Sequence, residues 1–211
     1  MAINISLERR AEIGRERRER TRNKLLEAAA RVIAARGEDN ARIEDFINQA
    51  GVARGTFYNY FLTREELIDS LWTYLGKTPF QRIQDLCATL ADPAERITAE
   101  LRLVVAQAAA DPTWGWLVYS MSGQRTVNDD LQSYPSTDLR AGMAAGRFHF
   151  EDFEVARDLV VSAARTALRV QLEGRGSASY VKGMCLVLLL ALGLRQDEAR
   201  DLSHRPPPSS D

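Results

Sequence analysis

Arg42 to Phe61 reads RIEDFINQAGVARGTFYNYF. Two short helical segments meet there at a Gly-containing turn of three or four residues. This is a helix-turn-helix arrangement, in which the second helix enters the DNA major groove. At ~100° per residue, a helix over 53–61 turns Phe57 and Phe61 inward together. Asn59 then lies opposite, Gly55 and Thr56 lie beside it, and Tyr58 and Tyr60 sit on the flanks. The outward face is small and hydrogen-bonding. Asn can pair bidentately with an adenine edge, and Thr can bond a base or touch a thymine methyl. Gly55 has no side chain to hold the backbone away, and the tyrosine hydroxyls can reach phosphates. Arg54 and Arg64 add phosphate charge at the two ends. The same periodicity fits a small helical hairpin with all its aromatics in the core; the outward tyrosines favour the DNA-binding reading.

The surrounding chain fits that reading. It has 211 residues, 45% hydrophobic and 27% charged, which suits packed domains rather than disorder. The 28 basic and 29 acidic residues leave a net charge of −1, which excludes a basic nucleic-acid coat. The charge is segregated, however. Residues 1–64 hold 13 basic and 9 acidic residues, and 65–211 hold 15 and 20, so the N-terminal third suits a polyanion. Cys87 and Cys185 are too few for a disulfide framework. His149 and His204 stand alone, and no metal or cofactor is predicted. The N-terminus lacks the apolar core of a signal peptide. The longest apolar run, 183–194, is too short for a bilayer, so no membrane partner is predicted and a cytoplasmic location is expected.

Strand signals are scarce and apolar residues recur at three and four, so the fold is all-α. Helices are predicted over about 21–36, 40–50, 53–60, 63–75, 80–90, 93–110, 113–121, 136–145, 152–173 and 177–194, with a last turn or two at 197–204. Asn40 is the expected cap of the second and Thr63 of the fourth. Asp92-Pro93 and Asp111-Pro112 are cap-plus-N1 signatures. A break is expected at 76–79 and a polar loop at 124–135. The organisation is then a basic arm (1–20), a helix-turn-helix DNA-binding domain (21–75), a helical ligand-binding and dimerisation domain (76–204) and a disordered tail (205–211). The stretch from Glu8 to Arg22 carries seven arginines. It either tracks DNA or forms a solvated helix end with Glu–Arg pairs.

The stretch GVARGTFYNYFLTREEL resembles the recognition helix and following helix of the tetracycline-repressor-like (TetR/AcrR) transcriptional regulators. Their pattern maps onto Gly51, Val52, Gly55, Thr56, Tyr58, Tyr60, Phe61, Thr63, Arg64, Glu65 and Leu67. The likeness covers about 21–75 well. Arg42 replaces the usual Thr or Ser, which moves the expected cap to Asn40 and adds a phosphate contact. Ile47 replaces a small Ala between the crossing helices. Arg64 replaces Lys. The resemblance implies a homodimeric regulator, most often a repressor, released from a palindromic operator on double-stranded DNA by a small-molecule effector. With Arg22 from the arm, the predicted DNA-binding set is Arg22, Arg42, Arg54, Gly55, Thr56, Tyr58, Asn59, Tyr60 and Arg64.

The C-terminal part agrees. Residues 181–194 are apolar nearly all round, which asks for a second burial surface beyond one stripe. Ala163, Ala164, Thr166 and Ala167 on the preceding helix permit close approach. Together they point to a four-helix bundle between two subunits. Such a dimer presents two recognition helices about one DNA turn (~34–36 Å) or somewhat more apart. In the resembled family this part of the chain encloses an effector pocket; the candidates here are Cys87, Trp114, Trp116, Tyr119, Met121 and Phe148, each equally readable as core. An enzyme is excluded, because there is no Glu-x-x-His pair on a bundle helix, no phosphate-cradling Gly loop and no nucleophile–base context. The remaining alternative is a helical interaction or scaffold protein whose helix-turn-helix no longer binds DNA, a reading kept open by Arg42 and Ile47.

Overall fold

The computed structural model describes residues 2–37, 40–122 and 129–208, and the side chains of these except at 2–8, 76–77, 121 and 129–134. Among the described residues it holds eleven α-helices, one π turn and no strand. The chain divides into two compact units, Met1–Tyr74 and Leu75–Asp211.

The first unit begins with α1 (Ala2–Arg36), 35 residues long, or about 50 Å at 1.5 Å per residue. The basic arm is the leading half of this helix. The trailing half buries Leu25, Leu26, Ala29, Val32 and Ile33 against α2 (Ile43–Ala50) and α4 (Arg64–Leu71). Phe46, Phe57, Phe61, Leu67, Ile68 and Leu71 complete that core. Fully burying each large apolar side chain contributes roughly 1.5–3 kcal/mol, before ordering costs.

The start of α2 differs from expectation. Its N-cap is Arg42, in extended backbone (φ −107°, ψ 159°), and not Asn40. The Asp45 carboxylate supplies the reach-back half of a capping box, accepting the Arg42 backbone N–H at 3.0 Å and the Arg36 guanidinium at 2.5 Å. Asn40 instead donates its amide to the Arg36 carbonyl at 3.2 Å, closing the end of α1. α4 starts as predicted. Thr63 accepts the Glu66 N–H at 3.1 Å, and Glu66 reaches back to the Leu62 N–H at 2.7 Å, a reciprocal cap.

The expected break at 76–79 is absent. A π turn (Trp72–Gly76) runs from α4 into α5 (Lys77–Cys87). Pro79 has no N–H for the carbonyl four residues back, and a widened turn just before it absorbs the mismatch without ending the helix.

In the second unit, α6 (Pro93–Ala110) packs against α5, α7 (Pro112–Met121), α8 (Asp129–Ala144), α9 (Phe153–Leu172), α10 (Ala178–Ala191) and α11 (Gln196–His204). Asp92, Asp111, Asp152 and Ser177 cap α6, α7, α9 and α10 through backbone N–H bonds of 2.8–3.1 Å. The predicted loop over 124–135 is helical from Asp129 onward, with Pro135 inside α8. Residues 124–128 of that prediction lie outside the described part. α11 is a full helix, docked by Arg102, which donates to the Leu202 carbonyl at 2.7 Å and to that of Arg205. Gly115 lets α7 close onto α6, since a Cβ there would stand 2.7 Å from that of Ala108.

Candidate functional site

The α2–turn–α3 element is built from its glycine. Gly51 takes left-handed backbone (φ 60°), and its N–H and that of Val52 bond the Asn48 and Ile47 carbonyls. Only glycine enters that region without strain. The turn Gly51-Val52-Ala53 leads into α3 (Arg54–Tyr58), five residues long and shorter than the predicted 53–60. Asn59 is its C-cap, and Tyr60 and Phe61 continue in turn geometry bonded to the Phe57 carbonyl. Phe57 and Phe61 are both essentially inaccessible, and the chain bends at Asn59 to enter the cap of α4.

The predicted DNA-binding residues fall into two groups. Arg42, Arg54, Gly55, Tyr58 and Asn59 are exposed, and Thr56 is half-buried among them. A Cβ at Gly55 would meet nothing within 4 Å, so no internal packing requires glycine there. Arg54 pairs with Glu44 at 3.2 Å across the turn and lies over the Tyr58 ring; the Tyr58 hydroxyl, then Glu44, hold its guanidinium pKa above the ordinary value. The other three are anchored. Arg64 donates Nε to the Ala41 carbonyl at 3.0 Å, tying α4 to the segment before α2. Arg22 stacks over Phe61, and the half-buried Tyr60 carries Arg18 over its ring at 5.8 Å. Arg18 was not singled out by the sequence pattern. Its signal was the i,i+4 spacing to Arg22 on a helix that continues through the arm.

The second unit contains a cavity of about 60 Å³ enclosed by α5, α6, α7, α8 and α9, with Leu188 of α10. Its walls are apolar apart from Glu100, Ser122 and Arg165. Arg165 donates Nη1 to the Tyr119 carbonyl and to Ser122 Oγ (3.0 Å), with its guanidinium over the Tyr119 ring. Burial pushes the Glu100 carboxyl up to about 7; the Gln84 amide draws it down and Asp138 raises it further. None of the described residues predicted for the pocket lines this cavity. Cys87 and Trp114 are packed in the interior. Phe148 sits over Gly142, in the core cluster shared with α9 and α10. Trp116 stacks edge-on with Tyr119, whose carbonyl and ring are spent on Arg165. The Met121 side chain lies outside the described part.

The outward surface of α9 and α10 exposes several large apolar side chains. Val155 and Val187 are each 64% exposed, and Leu159 and Leu190 about two-fifths. Ala163 and Ala167, expected on that face, belong to the core instead; Ser162 and Thr166 hold the outer positions. Gly183 on α10 is exposed, and a Cβ there would meet nothing.

Two family models match the chain. Residues 25–71 match "Bacterial regulatory proteins, tetR family", and residues 92–205 match "Tetracyclin repressor-like, C-terminal domain". The chain belongs to the tetR family. It is a helix-turn-helix transcriptional regulator by that membership. Among curated tetR-type relatives, the repressor KstR2 of Mycobacterium tuberculosis is 34% identical over 76 residues, 36% of this chain and 38% of that protein. The chain thus matches about two fifths of that relative's length. The regulator CymR of Pseudomonas putida is 28% identical over 190 residues, 89% of this chain and 74% of CymR. A crystal structure of RolR in complex with resorcinol superimposes with a TM-score of 0.68 and 28% identity, covering 92% of this chain and 98% of that one. Among the described residues, no helix is long and apolar enough to cross a membrane.

Sequence reasoning missed Glu100 and Arg165 as members of a tetR-type interior. The signal was present. Glu100 stands within the stripe Ile97, Leu101, Val104 of α6, and Arg165 within Val161, Ala164, Leu168 of α9. A charged residue on the buried face of a helix asks for a partner.

Proposed function

We propose that the chain is a homodimeric repressor that reads a palindromic operator with α3 and leaves it when a small organic effector enters the cavity of the second unit. The observation that carries the reading is the outward surface of α2–turn–α3. It is small and polar at Gly55, Thr56 and Asn59, and cationic at Arg42 and Arg54. In this reading Asn59 and Thr56 contact base edges. Tyr58, Tyr60, Arg42, Arg54, Arg22 and Arg64 hold the phosphate backbone, the last two while also bracing the domain. The open space at Gly55 supports a partner rather than a packing role. The proposed organisation keeps the arm (1–20), the DNA-binding domain (21–75), the effector and dimer domain (76–204) and the tail (205–211), in the cytoplasm.

The exposed Val155, Leu159, Val187 and Leu190, with bare Gly183 on α10, support a dimer through α9 and α10. The resorcinol held by the similar RolR supports a compact ring as effector. The cavity is well below the ~150 Å³ that holds benzene in an apolar interior. A ring entering it therefore parts the surrounding helices. That gives the two states the differential affinity through which an effector acts on operator binding. Selection of bound duplexes from a random pool tests the reading, with an inverted repeat expected. Recovery of sequences without two-fold symmetry, or of no sequence at all, counts against it.

A further inference from the structure

The cavity wall holds a carboxyl that is only loosely partnered. Glu100 lines the cavity from α6. Its nearest partner is the Gln84 amide, which draws its pKa down, yet the buried Gln84 Nε2 is itself left without a partner in full hydrogen-bond geometry. Buried carboxyls left without a donor are costly, and the cost falls when a ligand supplies one. The other charged group on the wall is already engaged: Arg165 spends Nη1 on Tyr119 and Ser122. The remaining lining is hydrocarbon, from Phe80, Ile97, Val104, Val118, Val160 and Leu168 among others.

These features select the chemistry of the occupant. An organic anion would gain from Arg165 but stand against Glu100, with Asp138 adding to the repulsion. An organic cation would pair with Glu100 but face Arg165 across a narrow apolar space. A neutral molecule with an apolar body and one donating hydroxyl satisfies the carboxyl without burying a new charge. We propose that Glu100 is the specificity-determining residue of the cavity, accepting a hydrogen bond from the hydroxyl of a small uncharged phenol. This rests on the reading of the cavity as the effector site and names the group that chooses the effector.

The test is calorimetric titration of the intact protein with phenol, toluene, benzoate and benzylammonium. Phenol and toluene have nearly the same shape and differ by the hydroxyl. The expected result is phenol binding roughly tenfold or more tighter than toluene, about 1.4 kcal/mol, with both ions weaker than phenol. In Glu100→Met the preference for phenol over toluene falls below about threefold. Glu100→Gln, which keeps an acceptor oxygen, retains an intermediate preference. Replacing a buried charge by an apolar side chain of similar length is commonly tolerated, and thermal melts establish that both variants fold. Equal affinity of phenol and toluene for the wild-type chain overturns the proposal, as does an undiminished preference in folded Glu100→Met, tighter binding of either ion, or no binding of phenol. The operator selection reads the parent proposal separately: an inverted repeat with no phenol binding removes only the role of Glu100.

Discussion

At the residue scale, Asn59, Gly55 and Glu100 each make a distinct demand. Asn59 is exposed at the end of α3 with its side chain free of internal partners among the described contacts. Asn59→Ala should relax operator preference at one base pair by about 1–3 kcal/mol, seen as a flattened column in a selected-site profile. Tyr58→Phe should instead weaken binding to all duplexes alike; a changed choice of operator would show that Tyr58 reads bases. Gly55→Ala separates fold from function. It fills open space in a helix, so it should raise stability by roughly 0.5–1 kcal/mol in denaturant melts while lowering operator affinity. Glu100 has the opposite character. Its carboxyl rises from 4.5 to about 7 on burial, so the native state keeps a proton that the unfolded chain loses above about 4.5. This group's contribution is therefore greatest at the acid end and is lost as pH rises through 7. Gln84 and Cys87 on α5, Asp138 on α8 and Arg165 on α9 are the polar and ionisable groups around it. Glu100→Gln should remove a fall in stability of the order of 3 kcal/mol between pH 4.5 and 8, measured as the difference from wild type in urea unfolding.

At the element scale, the start of α2 depends on Asp45. Its carboxylate serves the Arg42 N–H and the Arg36 guanidinium together. Asp45→Ala should cost about 1–2 kcal/mol of stability, the range for loss of a helix cap. Because α2 sets the entry to the turn, operator affinity should fall with it, whereas Asn40→Ala should leave binding nearly unchanged. A larger effect from Asn40 in paired melts would restore it as the organiser of α2. The same element shows how an unlike residue can serve the same end. Arg42 has no oxygen to cap with, and the acid three residues on holds the helix start instead by accepting the Arg42 N–H. α3 is short for a related reason. The chain must enter the Thr63–Glu66 cap at once, so helical geometry relaxes at Asn59.

At the scale of the whole molecule, charge segregation and the greasy outer face of α9 and α10 act together. A dimer carrying two basic faces should show steep salt dependence, with a log–log slope of about −0.9 for each phosphate neutralised. Val187→Glu places a charge on the most exposed apolar position of α10. It should yield monomers in sedimentation and abolish tight operator binding while leaving the melting of the chain little changed. A dimer that persists in Val187→Glu and Leu190→Glu alike would move the interface elsewhere.

The sequence by itself determined the helical class, most helix ends and the recognition element. These depend on local signals: caps at Asp92, Asp111, Asp152 and Ser177, the left-handed Gly51, and the three-four spacing of apolar residues. The tertiary structure decided which residues meet across elements. It sent Phe148 onto Gly142 and Trp114 into the core, brought Arg18 over Tyr60, and gathered Glu100 and Arg165 at one cavity from helices some sixty residues apart. A cap is settled by neighbours three or four residues away, whereas a cavity is the space left where five helices fail to fill it, and no local pattern along one helix specifies what the others leave empty.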